Sequence, residues 1–227
     1  MGARRAWGEG LYLHDEPGYT QARMELQKKS VAASERDQAA RSAWRERVRE
    51  LDPNKLVFVD ECGTNISLTT LYGRAPKGER ALGKAPRNWG KNLTLIASLA
   101  LDGLSQQNMI VEGATDTRAF ETYVEHFLYA NLKKGQVVIM DNLSAHKGER
   151  IRTLIESKGA HLLFLPSYSP DFNPIEGAFS KLKNSLRKAK ARTRESLLEA
   201  IGVALDAITV QDAEGWFRHC GYGAPIS

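Results

Sequence analysis

Three short runs in this chain are apolar at every position: Leu56–Val59, Val137–Met140 and Leu162–Leu165. A strand that does not alternate with polar residues suits a sheet covered by helices on both faces. Two of the runs stop on an acid, Asp60 and Asp141. The segment Gly148–Ser157 between the second and third reads as a helix, and strand, helix, strand at this spacing predicts parallel pairing through a crossover. Between the first and second runs, strands are expected near Leu68–Arg74, Asn92–Leu101 and Gln107–Glu112. Turn residues such as Asp102-Gly103 favour antiparallel hairpins there. Phe120, Val124, Phe127 and Leu128 recur at helical spacing within Asp116–Leu132, and Gly135 closes that element. From Pro174 to Arg218 the chain reads as helical, in two or three pieces. The fold class is α/β: a mixed sheet of antiparallel hairpin strands and parallel strands, flanked by helices.

The ends of the chain read differently. Residues 1–20 are glycine-rich without an apolar period, a flexible leader. Residues 21–53 are rich in helix formers and end at Pro53, a polar helical linker arm. The main domain is expected over 54–222. With 227 residues, 42% apolar and 26% charged, the chain can bury a core. The longest apolar stretch, Leu93–Leu104, is broken by Asp102 and Gly103 and is too short to span a membrane. Two cysteines, Cys62 and Cys220, supply neither a disulfide framework nor a four-cysteine zinc site, which suits a reducing cytoplasm. The net charge of +5 is local: residues 147–194 hold eleven basic against four acidic side chains, and residues 181–194 hold seven basic and no acidic ones. Such a strip suits a phosphate backbone, although a solvated helix face explains most charge runs.

Taken singly, an aspartate at a strand end usually starts a turn or caps a helix. Glu176 also has a plain reading. In Asn173-Pro174-Ile175-Glu176, Asn as N-cap followed by Pro reads as a helix start, with Glu176 reaching back to the cap amide. The following helix places Ile175, Phe179, Leu182 and Leu186 on one side. Lys183 and Arg187 fall within about 20° of Glu176 on the helical wheel, and Lys190 joins them if the helix continues that far. If the sheet sets Asp60 and Asp141 side by side and this helix adds Glu176, three carboxylates repel unless cations neutralise them. Hard oxygen ligands of that kind suit Mg2+ or Mn2+, and two such ions could clamp an in-line displacement at phosphorus.

The segments Val57-Phe58-Val59-Asp60-Glu61, Val138-Ile139-Met140-Asp141-Asn142 with His146, and Leu165-Pro166-Ser167-Tyr168-Ser169-Pro170-Asp171-Phe172-Asn173-Pro174-Ile175-Glu176 carry a resemblance to a known family. Together, with 34 residues between Asp141 and Glu176, they resemble the DDE transposases of bacterial insertion sequences in the mariner-like superfamily. The likeness runs from about Lys28 to Tyr222. It implies a ribonuclease H-like catalytic domain that cuts transposon ends and joins them to target DNA, commonly at TA. It makes Asp60, Asp141 and Glu176 the catalytic metal ligands for Mg2+ or Mn2+, two ions in all. Asn142 and His146 match recurrent positions that orient the second aspartate or contact DNA, though His146 reads equally well as a satisfied helix-start histidine. Tyr168 and Asn173 shape the turn that presents Glu176. Glu61 should point away from Asp60 by strand alternation. Lys183, Arg187 and Lys190 are the expected DNA contacts.

The partners implied are DNA, a second copy in a homodimer, or a separate DNA-binding polypeptide, with no membrane. The implied location is a bacterial cytoplasm, on the nucleoid. Only 59 residues precede Asp60, fewer than the helix-turn-helix modules of such transposases need. The alternative is therefore a catalytically idle DNA-binding or dimerising remnant.

Overall fold

A computed structural model of the protein describes residues 33–143 and 146–223. The leader expected over 1–20 and the first part of the arm, to residue 32, lie outside the described residues. In chain order the elements are α1 (Gln38–Arg49), β1 (Leu56–Thr64), β2 (Leu93–Ala100), β3 (Gly103–Leu104) and β4 (Met109–Glu112). There follow α2 (Thr117–Tyr123), a π-helical turn (Val124–Leu128), α3 (Tyr129–Asn131), β5 (Val137–Met140), α4 (Glu149–Ser157) and β6 (His161–Phe164). The last three are α5 (Ile175–Ala189), α6 (Arg194–Asp206) and α7 (Val210–His219).

The sheet order is β3-β2-β1-β5-β6, with β4 also paired to β2. The hairpin half is antiparallel: Val57 faces Ala100 through to Thr64 facing Leu93, and Leu99 faces Leu104 across a turn in which Gly103 takes a φ of +121°. The other half is parallel, with Val59 beside Met140 and Met140 beside Phe164. Both predicted pairing modes are present.

Successive residues of each strand enter opposite faces, which divides the core in two. On one face Leu56, Phe58, Cys62, Leu95, Ala97 and Ile139 pack against α1, α5, α6 and α7. On the other, Val57, Val59, Ile96, Val138 and Met140 pack against α2, the π-helical turn and α4. Because helices cover both faces, the central strands need no polar alternation, and their sequences show none.

One expected strand is absent. Among the described residues no strand lies between Thr64 and Leu93, so the segment Leu68–Arg74 is not a strand, and Leu71 and Tyr72 are exposed. An Asn65 side chain accepts from the Ser67 amide and turns the chain off the sheet. β1 is already paired on both edges, by β2 and β5, which leaves no ladder for another strand beside it. β1 in turn runs five residues further than its apolar run, because Asp60–Thr64 continue to pair with β2.

The arm helix α1 is amphipathic and starts at Asp37, whose carboxylate accepts from the Ala39 and Ala40 amides. Trp44 and Val48 from its inner face join the core of the domain. No helix among the described residues is long and apolar enough to cross a membrane.

Candidate active site

The pleat sets the site. In β1, Leu56, Phe58 and Cys62 face the α5 layer, so Asp60 faces it too and Glu61 faces the opposite layer. In β5, Ile139 faces α5, and Asp141, two residues on, exits towards the same side. Since Val59 and Met140 are partners, the two aspartates leave adjacent strands at the same level. α5 contributes Glu176 from its first turn. All three acids line one cleft of about 340 Å³, walled by the Leu165–Pro170 loop. They line an open cleft without meeting at one point: among the described residues no group of three or more Asp, Glu, His or Cys side chains is placed so that it could hold a metal ion.

Asp60 is the most constrained of the three. It is buried, with 9% exposure. Its Oδ1 accepts from the Glu61 amide at 2.8 Å and its Oδ2 from Asn173 Nδ2 at 2.8 Å. Burial pushes its carboxyl up to about 8; the Glu61 amide opposes this, and the charges of Asp141, Glu61 and Glu176 add to it. A buried acid crowded by like charges is a poor anion unless a cation joins it.

Asn173 is therefore not the helix cap expected from sequence. The N-cap of α5 is Pro174, with no side-chain capping bond. Glu176 makes no reach-back bond; its backbone N–H donates to the Asn173 carbonyl at 3.2 Å. The Asn173 side chain is drawn to Asp60 instead, because a buried carboxylate oxygen needs a hydrogen-bond donor. Asn142 donates to Ser167 Oγ at 2.8 Å, tying the end of β5 to the loop that leads to Glu176.

His146 is fully buried, stacked on Phe120 at a centroid distance of 4.0 Å. Its Nε2 lies 3.0 Å from Glu61 Oε1. Its Nδ1 lies 2.5 Å from Asp141 Oδ1, a charge contact out of line for a hydrogen bond. Glu61 does point away from Asp60, as alternation requires, yet it reaches Asp141 through this ring. Sequence reasoning passed over Glu61; the available signal was the pairing of a face-reversed acid with a histidine five residues after the second aspartate. Burial acts to lower the His146 pKa, but the close contact with Asp141, the hydrogen bond with Glu61 and the charges of both carboxylates overcome it and carry the imidazole to about 9.

The folded value lies above the ordinary 6.5, so this stabilisation is complete below pH 6.5 and is lost as pH rises through 9. In metal-free buffer, urea unfolding of the parent protein should show stability falling over that window, by up to about 3 kcal/mol. His146→Gln should flatten the slope. An identical slope in both proteins would show that His146 is not charged in the fold.

The basic residues divide. Lys183 lies beside Cys62 at the end of β1, where its charge opposes the burial that pushes the thiol up to about 11. Arg187 is one turn further along α5, bonded to Asn184. Lys190 is not on that face: α5 ends at Ala189, and Lys190 is its left-handed C-cap with φ 52°. The cap breaks the helical phase that the extrapolation needed.

An α/β/α sandwich that presents two aspartates from adjacent central strands and a glutamate from a facing helix is a ribonuclease H-like nuclease fold with an acidic cleft. The chain belongs to the DDE superfamily endonuclease family, whose model matches residues 55–198. It is 26% identical over 187 residues to the Caenorhabditis elegans transposable element Tc1 transposase, covering 77% of this chain and 68% of that protein. Among solved structures, a pre-cleavage Mos1 transpososome shares the fold at a TM-score of 0.68 and 14% identity, over 87% of this chain and 64% of that one. The Mos1 mariner paired-end complex with Mg gives 0.68 and 15%, over 87% and 63%. The chain thus spans under two thirds of the Mos1 chain in these complexes.

Proposed function

We propose that this chain is the catalytic domain of a DDE transposase, which cleaves DNA at transposon ends and transfers the freed strand to target DNA. The supporting observation is the convergence of Asp60, Asp141 and Glu176 from β1, β5 and α5 on one cleft. Family membership and the DNA-bound state of the Mos1 relatives agree with it.

The donor set fits a divalent cation. All three groups are carboxylates, and Asp60 is held at a burial that disfavours its anion without a neutralising charge. Mg2+ or Mn2+, in a pair, would supply activation of the attacking oxygen and stabilisation of the leaving oxygen. The protein's own part is positioning. Asn173 fixes one oxygen of Asp60, His146 fixes one oxygen of Asp141, and each aspartate keeps the remaining acceptor capacity for the cleft. Lys183 and Arg187 lie along α5 behind Glu176, where they would hold a phosphate backbone.

Incubating the protein with DNA that carries the element's inverted ends, in Mg2+ or Mn2+, should give nicked and joined products. Asp60→Ala, Asp141→Ala and Glu176→Ala should each lose both products. Cleavage that persists in EDTA would refute the reading, and salt-sensitive DNA binding without cleavage would identify an idle remnant.

A further inference from the structure

The turn that carries Asn173 and leads into Glu176 is held from outside the sheet by the arm helix. Arg41 of α1 is 3% exposed. Its guanidinium donates from Nη1 to Ser169 Oγ at 2.7 Å and to Asp171 Oδ1 at 3.1 Å, and from Nη2 to Asp171 Oδ2 at 2.6 Å. The same group lies 4.2 Å above the Phe172 ring. Arg36 donates to the Tyr168 carbonyl and to Asp171 Oδ1, both at 3.0 Å. Trp44 Nε1 donates to Tyr222 OH at 3.1 Å, and that hydroxyl donates to the Phe172 carbonyl at 2.7 Å. Every residue from Tyr168 to Phe172 except Pro170 is thus gripped by Arg36 just ahead of α1, by α1 itself or by a tyrosine that α1 holds.

The turn needs such a grip. Tyr168 sits at φ 55°, a backbone region unfavourable for a residue with a bulky side chain. A single 3-10 turn, Pro170–Phe172, has little cohesion of its own. The next residue is Asn173, whose amide donates to Asp60. A buried arginine is costly unless a carboxylate meets its fork, and here both Nη atoms meet the two oxygens of Asp171 while Nε has no partner. The planar fork spans Ser169 and both oxygens of Asp171, which a lysine ammonium cannot do.

We infer that α1 is a splint for the active-site turn: Arg41, with Trp44 acting through Tyr222, are positioning residues that hold Asn173 and Glu176 against the two aspartates. The arm is thereby part of the catalytic apparatus, and displacement of α1 would loosen the acid cleft. The claim about the cleft rests on its being the metal site proposed above; the claim about the turn does not.

The test compares amide hydrogen exchange and Mn2+ affinity in Arg41→Ala, Arg41→Lys and Tyr222→Phe with the parent. Ile155→Ala serves as a control that truncates the opposite core. Exchange at Phe172, Asn173 and Glu176 should rise about tenfold in Arg41→Ala and Arg41→Lys. It should rise about threefold in Tyr222→Phe, which removes only a hydroxyl and keeps the fold. β5 and α4 should be unchanged in all three. Mn2+ affinity should fall with the exchange, and should not fall in Ile155→Ala. Equal exchange at the turn in Arg41→Ala, Tyr222→Phe and the control overturns the splint. Looser turns with unaltered Mn2+ affinity overturn its link to the site. If the parent and Asp141→Ala both fail to bind Mn2+, the metal reading fails, and the exchange comparison still decides the splint.

Discussion

Asp60→Asn is expected to abolish metal-dependent cleavage while making the metal-free protein more stable than the parent at pH 8. The loss follows from removing an anionic ligand, worth several kcal/mol of transition-state stabilisation, so cleavage should fall by about 10³-fold or more. The gain follows from the burial of Asp60. Its carboxyl is pushed up to about 8 from the ordinary 3.8, so the folded state holds a proton that the unfolded chain releases. Stability of the parent must then fall as pH climbs from about 4 towards 8. An asparagine carries no charge to desolvate and escapes this slope.

The neighbouring groups can accept the change. Asp60 takes one donor on each oxygen, from Glu61 and Asn173, whereas an asparagine offers one oxygen and one NH2. Asn173 Oδ1 is buried without a partner, and a flip of that amide turns it towards the new donor. Urea unfolding in EDTA should show a gain on the order of 2 kcal/mol at pH 8 that shrinks towards pH 5. Mn2+ should raise the melting temperature of the parent and leave that of the variant unmoved. A variant less stable than the parent at pH 8 would show that the site does not strain its own aspartate.

Gly177→Ala is expected to be among the most damaging single-methyl changes in the chain. A Cβ at this position would stand 2.4 Å from Trp216 Cδ1, 2.5 Å from Cγ and 2.7 Å from Nε1. Alanine returns at most about 1 kcal/mol of helix propensity over glycine. Overpacking a fixed indole costs about 1–3 kcal/mol or more. The indole cannot simply step aside, because α7 is clamped to α5 by the Lys181–Asp212 ion pair, and Asp212 also closes the capping box at Thr209.

The expected result is a melting temperature lower by several degrees, at about 2–4 °C per kcal/mol. Cleavage should fall further than stability alone accounts for. Glu176 precedes the added methyl, and a displacement of about 1 Å at a catalytic group can cost about 100-fold. Combining Gly177→Ala with Trp216→Ala should restore part of both losses, a coupling readable in a double-mutant cycle. Strictly additive effects would mean that the methyl is accommodated without contact.

Much of this fold is legible in the sequence. The wholly apolar runs at 56–59 and 137–140 announced strands buried on both faces, whereas the acids that end them read singly as turn or cap residues and took a chemical role only through the motif resemblance. The Asp102-Gly103 hairpin and the β5-α4-β6 crossover also follow from local residues, since turn geometry and helical period are short-range properties. Leu68–Arg74 was misread for the opposite reason: its residues can form a strand, but whether a free sheet edge awaits them depends on β2 and β5, far away in the chain. Lys190 was misplaced because the end of α5 lies in a left-handed cap with no glycine to mark it.

The sequence by itself determined most of the strands and helices, because they are written in periodicity and residue type, and it pointed to the three acids through the resemblance of their motifs to a known family. Only the tertiary structure decided what holds those acids. Asn173 turned from helix cap to donor for Asp60, Glu61 reached Asp141 through His146, and Arg41 gripped the turn 128 and 130 residues away at Ser169 and Asp171. Hydrogen bonds between distant segments leave no local pattern. They exist because burial obliges each charged or polar group to find partners within the protein, and the fold alone chooses which.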